Sequence, residues 1–223
     1  MIRFAALLLL PGLAVAQAPV SLPAGCDAYV TIQKRSCIVS HLFTCEADPA
    51  GHQRRVDYDE TGMTYMGRID AETQWIESFH VRAQNVERLV PEPADPASFS
   101  ELVETGIDSW DFRTDSDAFS VTAYRGFDRL TGQSVTIDGV ALDETEFEVT
   151  VTDGMGGFLW SVEGREYIHR DWRVFLSGIR SVDTGADEYQ TDGRPVEFIF
   201  PGEPGFLSAT PLHDCGEMMS KAS

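Results

Sequence analysis

Glu146-Phe-Glu-Val-Thr-Val-Thr-Asp-Gly154 decides how this chain folds. Phe147, Val149 and Val151 alternate with Glu146, Glu148, Thr150 and Thr152, and Asp153-Gly154 closes the run. A period of two, apolar then polar, marks a strand with one buried and one wetted face, which is how antiparallel sheets read. The Asp-Gly pair supplies the positive backbone angles of a hairpin turn.

The same signature recurs in both directions from this stretch. Phe119, Val121 and Ala123 alternate with Ser120, Thr122 and Tyr124, which predicts a strand with the first three residues buried. Further strands are predicted near Cys37–Cys45, Val56–Tyr58, Met63–Ile69, Trp75–Val81, Phe158–Val162, Trp172–Leu176 and Val196–Phe200, about ten in all. Turn signals fall at Thr61-Gly62, Thr131-Gly132, Asp138-Gly139, Asp153-Gly154, Glu163-Gly164 and Asp192-Gly193. One helix is predicted after Pro96, with Ser98 as N-cap, Glu101 three residues on, and Leu102 and Val103 on its buried side. A meander of this many strands must curl, because a large twisted sheet does not stay flat. The expected fold is therefore mainly β: a curved antiparallel half-barrel or barrel with one short helix, with a two-sheet sandwich as the alternative.

Residues 1–16 read as a secretory signal peptide. Arg3 precedes the apolar run Phe4–Leu10, Pro11-Gly12 breaks it, and Ala14-Val15-Ala16 offers a small-x-small cleavage site. Residues 17–223 are then expected to form a single β-rich domain in the bacterial periplasm or outside the cell. The arginine-dominated basic set, with Lys34 and Lys221 as the only lysines, fits a GC-rich bacterial genome. Leu22–Cys26 departs from a lipobox, because Pro23 stands where leucine belongs and residues 17–23 separate the cysteine from the apolar run. No stretch has the ~20 apolar residues of a membrane-spanning helix.

Four cysteines, Cys26, Cys37, Cys45 and Cys215, predict two disulfides in an exported chain. A strand from Cys37 to Cys45 would hold those two roughly 26 Å apart, which excludes that pairing. Of the two connectivities left, Cys26–Cys37 with Cys45–Cys215 is expected, since it closes a short loop and pins the C-terminus.

The formal net charge of −19 repels phosphate backbones, so nucleic acid is not an expected partner. The five histidines are scattered without metal-ligand spacing, and His41 on its predicted strand reads as a neutral core residue bonded to backbone. No G-x-S-x-G elbow is present, and His169-Arg-Asp171 lacks the asparagine and the glycine-rich loop of a kinase. Glu144, Glu146 and Glu148 share a strand face and read as a solvated surface. Asp183, Asp187, Glu188 and Asp192 bring oxygen donors around Gly185 and Gly193, which makes calcium the one cofactor to look for. Trp75, Phe79, Trp110, Phe112, Phe158, Trp160, Trp172 and Phe175 exceed what a sheet needs on its surface, and some could line a cavity.

The leading expectation is thus a non-enzymatic cell-envelope protein whose concave sheet binds a hydrophobic small molecule, lipid or acyl chain. A secreted carboxylate-dependent hydrolase acting on glycans, and an acidic protein-interaction module, are the alternatives.

Overall fold

A computed structural model describes residues 19–116 and 120–216. The predicted signal peptide and the predicted position of Phe119 lie outside the described residues. Fourteen strands and one helix follow in the order β1 Cys26–Lys34, β2 Ile38–Cys45, β3 Gln53–Asp59, β4 Gly62–Ile69, β5 Trp75–His80, β6 Asn85–Leu89, α1 Phe99–Thr105, β7 Ile107–Ser116, β8 Ser120–Ile137, β9 Val140–Asp153, β10 Phe158–His169, β11 Val174–Leu176, β12 Ile179–Asp183, β13 Glu188–Asp192 and β14 Pro195–Ile199. All belong to one antiparallel sheet. It runs as a meander from β1 to β10, continues through β12 to β13, and takes β14 back onto the free edge of β1, while β11 also pairs with β10. The sheet is curved but not closed, so the half-barrel option holds rather than the closed barrel or the sandwich.

The curvature is measured by side chains that meet across it. Trp75 on β5 and Tyr124 on β8 lie three strands apart, about 14 Å in a flat sheet. Their ring centroids are 5.4 Å apart. Likewise Val30, Ile32 and Leu42 from β1 and β2 pack in one cluster with Val140 and Leu142 of β9, Val174 and Leu176 of β11, and Phe198 of β14. These residues define the concave face.

In β9 the predicted alternation is found: Val149 and Val151 are buried while Glu148 is exposed. On β8 the faces are reversed from the prediction. Thr122 and Tyr124 are buried, whereas Val121 and Ala123 are only half-buried. The concave side accepts polar groups there, so hydrophobicity alone points the wrong way. Two predicted turns are also corrected. Thr131-Gly132 is a bulge within β8, where the register to β9 slips between Leu130 and Ser134. Gly164 lies inside β10, where a Cβ would sit 2.4 Å from the carbonyl oxygen of Ile179. That glycine lets β12 approach, and it does not turn the chain.

Helix α1 starts and packs as predicted. The Ser98 hydroxyl accepts the Glu101 N–H at 3.2 Å, Gly106 ends the helix at φ 89°, and Leu102 is fully buried with Phe99 against Ile168.

The disulfides correct the expected connectivity: Cys26 pairs with Cys45 and Cys37 with Cys215. The reason is β1, which the sequence reading omitted. It forms a hairpin with β2 in which Cys26 is the direct cross-strand partner of Cys45, with Cys37 in the connection at the other end. The second bridge fastens the C-terminal segment over the outer face of β1 and β2. There the Leu207 N–H donates to Thr31 Oγ1 at 2.9 Å, and Gln33 donates to the Thr210 carbonyl and accepts from the Leu212 N–H.

His41 is buried with Val39 and Phe43, all three on the outer face of β2 that this segment covers. Its Nδ1 meets Thr31 Oγ1 at 2.9 Å, a side-chain partner instead of the backbone one expected. Burial pushes its pKa down to about 4, against the attraction of Asp57. Imidazole NMR should therefore find His41 neutral at pH 5.5, where ordinary histidines are mostly protonated. A protonated His41 at that pH would refute this reading of its environment.

Candidate functional site on the concave face

Three groups of side chains share the concave face. The first is an acid pair. On β8, Asp128 faces inward beside Phe147 of β9; on β10, Glu166 faces inward beside Thr145. Trp110 on β7 donates its indole N–H to Asp128 Oδ2 at 2.9 Å. The ring can lie there because β8 carries Gly126, where a Cβ would meet the indole at 2.7 Å. Asp128 and Glu166 hydrogen-bond to each other, which requires a proton between them. Burial pushes Asp128 up to about 6, opposed by its bonds from Trp110 and Glu166. Burial and then the charge of Asp128 hold Glu166 well above the usual glutamate range, despite Arg180 and Arg55 nearby. Thr145, fully buried beside Glu166, has no hydrogen-bond partner for its hydroxyl.

The second group is cationic. Lys34 Nζ lies 3.9 Å from Asp57 Oδ2, and Arg55 Nε lies 3.3 Å from Asp57 Oδ1. Burial lowers Lys34 to about 8, Asp57 resists this, and Arg55 and Arg180 add to the lowering. Burial alone would raise Asp57; Arg55, Lys34 and a 2.6 Å bond from the Ser40 hydroxyl overcome it and hold the carboxyl below its ordinary range. Arg180, on β12, donates to Thr191 Oγ1 at 3.1 Å and has no carboxylate within ion-pair distance among the described residues.

The third group is aromatic. Trp75, Phe112 and Tyr124 are in mutual contact, with Phe112 and Tyr124 stacked at 5.1 Å and Trp160 beyond Tyr124 at 6.2 Å. Tyr65 stands beside the cations: the Arg55 guanidinium lies 4.7 Å over its ring, and its hydroxyl meets Ser78 Oγ at 3.1 Å. The strip is not sealed. Trp75 is 42% exposed and the Arg55 side chain 37% exposed.

The acidic candidates predicted from the sequence lie elsewhere. Asp183 and Glu188 face each other at the β12–β13 hairpin, where Asp183 caps the Gly185 N–H at 2.7 Å and Glu188 accepts from Ser181. Asp187 is in the turn between them, its N–H bonded to Thr184 Oγ1. Asp192 is at the far end of β13, about 13 Å along the strand. It is held there by a bidentate contact, Arg194 Nε and Nη2 each donating to one of its carboxylate oxygens. The four do not converge, so the calcium expectation finds no site in this arrangement. Among the described residues the single convergent set of ligand atoms is Cys37, Glu60 and Cys215, and its cysteines are spent in a disulfide. Glu144 and Glu146 lie on the outer face as expected, paired with Arg165 and Arg129. Of the candidate aromatics, Trp75, Trp110, Phe112 and Trp160 reach the concave site; Phe158 is exposed at the start of β10, and Trp172 stacks on His169 at 3.8 Å.

The sequence reading missed Lys34, Arg55, Asp128, Glu166 and Arg180. One signal was available for Lys34: it is one of two lysines in the chain and ends an alternating apolar run, Val30, Ile32, Lys34.

Fold and site together define an open, rolled antiparallel sheet with a charged and aromatic concave face. Its two disulfides belong to an oxidising, extracytoplasmic environment, and no helix among the described residues is long and apolar enough to cross a membrane. No protein-family model, no curated protein and no solved structure matches the chain.

Proposed function

We propose that this is a periplasmic or secreted binding protein that holds a hydrophobic small molecule or an acyl chain on its concave face. One observation carries the reading: Trp75 stands 42% exposed on that face while in contact with Phe112 and Tyr124. A large ring left partly in water beside other rings forgoes burial that a bound apolar group would restore, about 25 cal/mol per Å² covered. Wet apolar surface inside a curved sheet is also the common setting of a ligand site. The carboxylate hydrolase is not favoured. Glycosidase acids stand roughly 5–9.5 Å apart to admit the sugar or water. Asp128 and Glu166 instead hydrogen-bond directly to each other.

Titration with the neutral fluorescent probe N-phenylnaphthylamine is the test. The folded protein should give saturable enhancement, and Trp75→Ala should weaken it about tenfold, the effect of roughly 1.4 kcal/mol. Circular dichroism checks that the variant keeps its sheet. No saturable binding by the wild type would dispose of the proposal, as would an unchanged Trp75→Ala.

A further inference from the structure

The cations beside the aromatic strip are the feature that the binding reading does not use. In a chain of net charge −19, a cluster of three cations is matched inside the curve by one firmly ionised carboxylate, Asp57. That carboxylate is already engaged by Ser40, Lys34 and Arg55. Asp128 and Glu166 bond each other, and neither is within ion-pair distance of a cation among the described residues. Glu87, the other acid near the aromatic strip, accepts from Tyr124 at 2.9 Å and from Asn85 at 3.1 Å. Glu87 is thus engaged by neutral donors and is within ion-pair distance of none of the three cations.

Arg55 and Arg180 also keep donors in reserve. The Arg55 Nε is buried without a hydrogen bond although it lies beside Asp57, and the rest of its guanidinium is partly exposed over Tyr65. Arg180 has only the hydroxyl of Thr191 on its Nε. Many of the other arginines are matched to a carboxylate, as Arg125 is to Asp111 at 2.6 Å and Arg54 to Asp48 at 2.6 Å. A guanidinium fork with free N–H groups fits the two oxygens of a carboxylate.

We propose that Lys34, Arg55 and Arg180 form the seat for the carboxylate head of a fatty-acid-like ligand whose chain lies along Tyr65, Trp75 and Tyr124. This rests on the apolar-binding reading above and adds a head group to it. An anion approaching so acidic a protein is repelled at long range. Local donors must overcome that, and a carboxylate with an apolar tail uses both the cations and the rings.

Calorimetric titration of the full chain with dodecanoate, with 1-dodecanol and with inorganic phosphate separates the outcomes. Dodecanoate should bind about tenfold more tightly than dodecanol, the gain of one charge-assisted contact. The double variant Arg55→Gln with Arg180→Gln should lose that preference and keep its affinity for dodecanol. Arg180→Gln alone, at an exposed position, gives a partial loss without risk to the fold. Equal binding of acid and alcohol by the wild type would remove the head-group seat and leave the apolar site standing. Failure of both to bind would remove the two together. Phosphate displacing dodecanoate at matched concentration would make this a plain anion site and overturn the acyl assignment.

Discussion

Replacing Cys37 and Cys215 together by serine should lower the free energy of unfolding by about 5 kcal/mol, against about 3 kcal/mol for Cys26 with Cys45. The difference comes from the loops they close, 178 residues of sequence separation against 19, because the longer loop denies the unfolded chain more conformations. The native state adds to the asymmetry. Cys215 anchors the segment that covers the outer face of β1 and β2, where Val39, His41 and Phe43 are buried. Cys26 and Cys45 only staple two strands already paired in register. Urea unfolding of the two double variants measures both numbers. If the Cys26/Cys45 variant is the weaker one, this account of the C-terminal segment is wrong. Peptide mapping without reduction should recover Cys26 joined to Cys45.

The second large effect concerns the acid pair. Glu166→Gln should gain stability over the wild type progressively as pH rises from 4.5 to 8, because burial and the charge of Asp128 hold the Glu166 carboxyl well above its ordinary range. The sign follows from proton binding. A carboxyl raised in the fold, as Glu166 is by burial and the Asp128 charge, holds a proton in the window between its unfolded and its raised value that the unfolded chain has released. Stability is then lost as pH climbs through the window and is fully lost above it. Glutamine donates to Asp128 without needing that proton. His41 acts in the opposite direction between 6.5 and about 4, its stability being lost as pH falls. Because His41 is common to both proteins, the difference between them isolates the pair. Parallel pH profiles in chemical denaturation would show that Glu166 is not held protonated.

Where the concave side is apolar, the fold was legible from residues alone. β9, the start of β10, the Ser98-capped helix and the Asp-Gly turns at Asp138, Asp153 and Asp192 stand where the patterns put them, while β10 runs on to His169 through the turn expected at Glu163-Gly164. β7 was not recognised, because its inward residues Asp108, Trp110, Phe112, Thr114 and Ser116 mix polar with apolar and blur the period of two. β6, β12 and β13 are short, and β12 and β13 are mostly exposed, so they carry little hydrophobic signal. Omitting β1 misassigned the cysteines, since only its register with β2 brings Cys26 to Cys45.

The sequence by itself determined that this is an antiparallel β-protein with one helix and enough cysteines for two disulfides. Those properties are local: a period of two, a capping pattern, a residue count. The tertiary structure decided which cysteines meet and which groups form a site. Lys34, Arg55, Asp128, Glu166 and Arg180 come from β1, β3, β8, β10 and β12, and each taken alone looks like an ordinary polar residue on a strand. They become neighbours only because the sheet curls, and curvature is a collective result of twist and packing that no single stretch records.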